Sequence, residues 1–182
     1  VEVSDGALVG QADRTALDAL PLASTVESTL EQRIDQLGLE DAVALKVASV
    51  IGPFFDLDTL SALTTGPDGG SVQAVVDRLV AADMAMPAGE GRFAFRHRHT
   101  QDAAYRMLPG ERRRDLHGRV AGWFERRLGD RADEHAGELA HHWFAAEVRP
   151  KALQWLESAG IQALRTGADR EAATQFRRAL SI

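Results

Sequence analysis

The sequence predicts a mostly α-helical chain: a winged helix-turn-helix with a small β wing, followed by antiparallel helical hairpins of an α-solenoid. Three observations predict it. Apolar residues recur at three-to-four-residue spacing along most of the chain. Two short alternating stretches flank a glycine-bearing turn directly after three such helices. The second half is a run of helical stripes separated by turns of a few residues. The expected division is a poorly patterned lead-in over 1–20, a winged helix over 21–108, and a helical linker with hairpins over 109–182.

Within the lead-in, Leu8 and Val9 between glycines read as a short strand. Pro21, with Ser24 and Glu27 at capping-box spacing, opens a helix whose stripe is Val26, Leu30, Ile34 and Leu37. Gly38 ends it. A second helix spans about 40–50 with Ala44, Val47, Ala48 and Ile51 inward, and Gly52-Pro53 stops it because proline has no amide to donate. Asp56 or Asp58 caps a short helix carrying Leu57, Leu60 and Leu63, and 66–70 is turn chemistry. Ser71 opens a helix with Val72, Val75, Val76, Leu79 and Val80 on one stripe. Met84-Ala85-Met86, a turn over 87–91, and Phe93-Ala94-Phe95 make the wing, with Phe93 and Phe95 on one side and Arg92, Ala94 and Arg96 on the other.

Thr100 to Leu108 reads as a short helix with Ala103, Ala104 and Met107 inward. Pro109 begins a longer one bearing Leu116, Val120, Trp123, Phe124 and Leu128. Gly129-Asp130 breaks it, Asp133 opens the next with Leu139, Trp143 and Phe144, and Arg149-Pro150 breaks that. The last two helices run over about 151–165 and 169–180. With Leu153 as first position, Leu156, Ala159, Gly160, Ala163, Ala172, Phe176 and Ala179 fall on the packing positions of a tetratricopeptide-like repeat. Gly160 stands where two helix backbones approach, and Phe176 fills the gap.

Composition removes several classes of function. The chain has 182 residues, 21 basic and 27 acidic, for a net charge of −6, and 45% are apolar. That balance argues against wholesale disorder. No cysteine is present, which excludes disulfides, iron–sulfur clusters and thiol catalysis. No apolar run approaches the roughly 20 residues of a membrane span, and the first residues have no secretory pattern. There is no initiator methionine, and the repeat stops unfinished, so the expectation is a piece of a longer cytoplasmic protein. No G-x-x-x-x-G-K-[ST], HExxH or G-x-S-x-G occurs. A non-catalytic chain with no cofactor of its own is therefore expected. His97 and His99 make at best a weak metal pair, and His135, His141 and His142 have no metalloprotease spacing. Residues 92–131 hold eleven arginines against five acidic residues, while the remainder holds ten basic against twenty-two acidic. Such a patch reads either as a solvated helix face or as a surface for phosphates.

Three passages resemble the signal-transduction ATPases with numerous domains (the STAND class). They are Leu20-Pro21 with 26–37, the stretch Ala48 to Phe55, and Phe93-Ala94-Phe95-Arg96-His97 followed by Gln101-Asp102-Ala103-Ala104-Tyr105. Arg112 to His117 and Leu139-Ala140-His141-His142 also have counterparts there. The nearest likeness is to bacterial regulators that join such an ATPase to a LuxR-type DNA-binding domain or to an adenylyl/guanylyl cyclase. The resemblance implies an upstream domain that binds ATP or ADP, with the winged helix folded over it in the ADP state. It implies that His97, with Arg96 beside it, senses the nucleotide. His99 stands where the family has an aliphatic residue, which leaves two imidazoles as candidates. The partners implied are the upstream ATPase domain and a protein or small-molecule effector on the repeats, with no nucleic acid and no membrane. Two other readings stay open: a DNA-binding winged-helix module and a tetratricopeptide scaffold for peptides.

Overall fold

The computed structural model describes residues 22–64 and 71–182, with side chains from Ser28 onward. The expected lead-in over 1–20, Pro21 and the turn over 66–70 lie outside the described residues. In chain order the elements are α1 (Leu22–Asp35), α2 (Leu39–Ile51), β1 (Phe54–Asp56), α3 (Leu57–Thr64), α4 (Val72–Ala81), β2 (Ala85–Pro87) and β3 (Arg92–Phe95). There follow α5 (Arg98–Arg106), α6 (Gly110–Leu128), a 3-10 segment (Gly129–His135), α7 (Ala136–Ala145), α8 (Arg149–Arg165) and α9 (Asp169–Leu180). Among the described residues the chain is mostly helical with one small antiparallel sheet.

That sheet has three strands, not the two expected, in the order β1-β3-β2. Phe55 pairs with Phe93, and Met86 with Ala94. β1 escapes a periodicity reading because three residues are too few to show alternation. Gly52 makes it reachable: at φ 148° and ψ −170° the backbone leaves α2 in a conformation open essentially to glycine. Phe55, Phe93 and Phe95 then share one face, with ring centroids 6.0 and 5.7 Å from Phe55 to the other two. Pro87 sits on the edge strand β2, where a missing donor costs no ladder bond.

α2 is the centre of the first apolar core. Ala44, Leu45, Val47, Ala48, Val50 and Ile51 are all buried, and the helix packs on α3, α4, α5 and α6. Asp56 caps α3 by accepting from the Thr59 amide at 2.8 Å and its hydroxyl at 2.9 Å. Arg78 on α4 grips Asp41 of α2 with two nitrogens, its NH2 at 2.6 Å. The first core continues past the expected boundary at 108, since Leu116 and Val120 of α6 belong to it. A second core of Ala136, Leu139, Ala140, Ala152, Trp155 and Leu156 joins α7 to α8, and Phe124 of α6 touches both. A helix of 19 residues is about 28 Å long, enough to reach across two cores.

Three boundaries differ from expectation. α1 is already helical at Leu22, so Ser24 lies in its first turn and is not its cap. The helix expected at Asp133 begins at Ala136, because the Asp133 carboxylate accepts from Ser158 Oγ of α8 at 3.1 Å. Arg149-Pro150 opens α8 where it was expected to break α7; proline in a first turn has no intrahelical bond to lose.

Candidate functional site

The corner after β3 holds the nucleotide-sensing residues implied by resemblance. His97 is the N-cap of α5, with extended backbone, and its carbonyl accepts from the Thr100 amide at 3.0 Å. Its imidazole is exposed and makes no capping bond. Arg96 is adjacent, but its guanidinium turns to Asp83, Nε to Oδ1 at 3.1 Å. His99 is exposed in the first turn of α5. His97 and His99 were expected to share a face of a strand end; the helical bond closed by Thr100 places them at a helix start instead.

The repeat-packing residues gather between the last two helices. Leu156, Ala159, Gly160 and Ala163 are buried on α8 and Ala172 on α9, while Phe176 and Ala179 are half-buried. A methyl group built on Gly160 would stand 2.6 Å from the Phe176 ring, so the ring lies directly on bare backbone. Beside this contact a cleft of about 250 Å³ is lined by Gly137, Gln162, Thr166, Glu171 and Gln175 among others. Gln175 Oε1 is buried there without a hydrogen-bond partner.

A third constellation sits where α6 meets α7. His117 of α6 and His142 of α7 are each 2% exposed, and their Nδ1 atoms face one another at 2.9 Å. His141 stands beside them at the surface. One nitrogen from each of the three lies within 4.8 Å of the others. The Tyr105 hydroxyl of α5 is 2.9 Å from His117 Nε2, with Arg113 stacked over the Tyr105 ring. The Ile51 main chain lies near His142 on the side that favours its charged form, as a carbonyl does. Burial, with His141 and Arg113 nearby, pushes His117 down to about 4. Burial, then His117 and His141, push His142 down to about 3. Both rings are therefore neutral near pH 7, and their protons can be ordered as a chain. In one such ordering Tyr105 O–H donates to His117 Nε2 and His117 Nδ1–H to His142 Nδ1, which leaves the other His142 N–H on the side of the Ile51 carbonyl.

Of the histidines considered from spacing, His97 and His99 belong to no three-residue cluster of metal-ligating side chains among the described residues, and His135 instead pairs with Glu138 at 3.4 Å. His117 went unconsidered as a ligand. The available signal was its place beside Leu116 and one turn before Val120, on the buried stripe of α6, with two further histidines on the following helix. No protein-family model, curated protein or solved structure matches the chain. None of the described helices is long and apolar enough to cross a membrane.

Proposed function

We propose that this chain is a non-catalytic regulatory arm of a multidomain signal-transduction ATPase of the STAND class. Residues through α5 serve as the winged helix that reads nucleotide state. The helices from α6 onward lead into a helical-repeat platform for an effector or partner. The observation that supports this reading is the exit of β3. The central strand of the small sheet delivers His97 to the N-terminus of α5 with its imidazole uncommitted. The first-turn amides of a helix are unspent donors carrying partial positive charge. Together with His97 they suit a phosphate presented by a neighbouring domain. Contacts made in one nucleotide state and lost in the other would then shift the equilibrium of the whole assembly. The Gly160–Phe176 approach and the exposed Ile161 and Leu164 on α8 support the platform half of the proposal.

The DNA-binding reading has less support. On α4, the candidate recognition helix, the sole arginine is committed to Asp41 and Glu40, and Asp77 accepts from Gln73. In the arginine-rich stretch, Arg112, Arg114 and Arg127 pair with Asp115, Glu147 and Asp56, and Arg119 donates to the Leu63 carbonyl. Phosphate contacts need guanidinium groups free to leave such pairs.

The test uses the longer protein that contains the ATPase domain. His97→Ala is expected to shorten ADP retention and raise basal output. If both are unchanged while the variant folds normally, the sensing role assigned to His97 is wrong.

A further inference from the structure

We propose that His117, His141 and His142 form a binding site for one divalent transition ion of the Zn²⁺ or Co²⁺ kind, held between α6 and α7. The inference is independent of the regulatory reading above. Its first ground is the donor set: three imidazoles and no carboxylate among the converging atoms. Imidazole nitrogen suits borderline ions such as Zn²⁺, whereas Ca²⁺ and Mg²⁺ require oxygen.

Geometry is the second ground. The three ring centroids form a near-equilateral triangle with sides of 5.1, 5.2 and 5.6 Å. An ion about 2.0–2.1 Å from each nitrogen, at tetrahedral angles, sets such centroids about 5.2 Å apart. Right-angled ligation of the square-planar kind would draw them to about 4.5 Å, so the triangle favours the tetrahedral ion. The Nδ1–Nδ1 separation of 2.9 Å needs to open to about 3.3–3.4 Å, a matter of small ring rotations. The largest adjustment falls to His141, the exposed member of the three, whose ring meets the other two edge-on.

The outer contacts are the third ground. A metal-bound histidine almost always gives its other ring N–H to an oxygen. Here His117 has Tyr105 at Nε2, 2.9 Å away, and His142 has the Ile51 main chain nearby. Both supports come from the first core, so the two Nδ1 atoms already face one another before an ion arrives. On binding, the proton between the two Nδ1 atoms shifts by way of solvent to the Nε2 of the same ring, so both imidazoles stay neutral with no net proton released, and His117 Nε2–H then donates to the Tyr105 hydroxyl. Arg113 and Arg178 are the cations facing the cluster and Glu138 is the anion. The fourth position lies on the solvent side with His141.

The experiment titrates the purified, untagged chain with Co²⁺ after chelator treatment, following visible absorption, and repeats the titration with Zn²⁺ in a calorimeter. One equivalent should bind, with the intense visible bands of tetrahedral Co²⁺, and Zn²⁺ should displace it. Melting temperature should rise with ion concentration, as for any ligand of the folded state. His141→Gln alters an exposed side chain and keeps the fold intact; it should abolish the tetrahedral spectrum. Tyr105→Phe should weaken Co²⁺ binding about tenfold. Three results overturn the site: no saturable binding to the folded wild type, an octahedral spectrum with several weak equivalents, or wild-type affinity in His141→Gln.

Discussion

Glu125 accepts from donors on two other helices: Trp143 Nε1 of α7 at 2.9 Å, Trp155 Nε1 of α8 at 2.5 Å and Lys151 Nζ at 3.1 Å. Burial alone would push this carboxyl up; the two indoles and the ammonium outweigh it and hold the group below the usual glutamate range. Removing it strands two indole donors in a largely apolar setting. Glu125→Ala should therefore cost about 2–3 kcal/mol at neutral pH, read from urea midpoints. The pH dependence has a definite sign. A carboxyl whose folded pKa is depressed contributes stability that is fully present above its unfolded value of about 4.3. That contribution is lost as pH falls through the lower folded value. Glu125→Gln should be less stable than wild type at neutral pH, and the gap should close in acid over that interval. A constant gap from neutral pH down through the acid limb would show that the charge on Glu125 contributes nothing.

At the scale of elements, Gly160 shows how two helices reach closer than ordinary side chains allow. An alanine in mid-helix normally gains about 1 kcal/mol over glycine. Here the added methyl meets the Phe176 ring at 2.6 Å, and overpacking of this kind costs about 1–3 kcal/mol. Gly160→Ala should thus be net destabilising, by about 1 kcal/mol, despite the better helix former. Adding Phe176→Leu should recover part of the loss, which a double-mutant cycle measures directly. A purely additive cycle would mean that the ring simply swings away. This contact was legible in the sequence, because small and bulky residues at helical spacing state their own packing rule. The limits of α9 and the facing phenylalanines of β3 were legible for the same reason: period and breaker agreed. β1 was not, since its pairing with β3 is non-local and three residues carry no period. Nor was the His117–His142 pair, whose partners are 25 residues apart and meet only because α6 and α7 bury adjacent stripes. The start of α7 was misplaced because Asp133 had a better tertiary partner in Ser158 than the local cap it resembled.

Across the whole molecule, α6 is the element that touches both cores. Its first half supplies Leu116 and Val120 to the core around α2, and Phe124 touches that core and the one between α7 and α8. Arg127 ties its far end back to Asp56 at the cap of α3. The proposed regulatory role needs this stiffness: a change felt at the small sheet reaches the last helices only if the joint does not open first. The consequence is testable by amide hydrogen exchange in rising urea, which resolves the opening free energy of separate segments. Exchange in α2 over 44–51 and in α8 over 152–163 should converge on one global opening free energy. Phe124 is only half-buried, so Phe124→Ala should cost about half of the 3–5 kcal/mol of a core phenylalanine. That loss should lower the opening free energy of both segments by the same amount. Should α8 open at lower urea while α2 stays protected, the two cores are independent, and strain from the small sheet could not be carried through α6 to the last two helices.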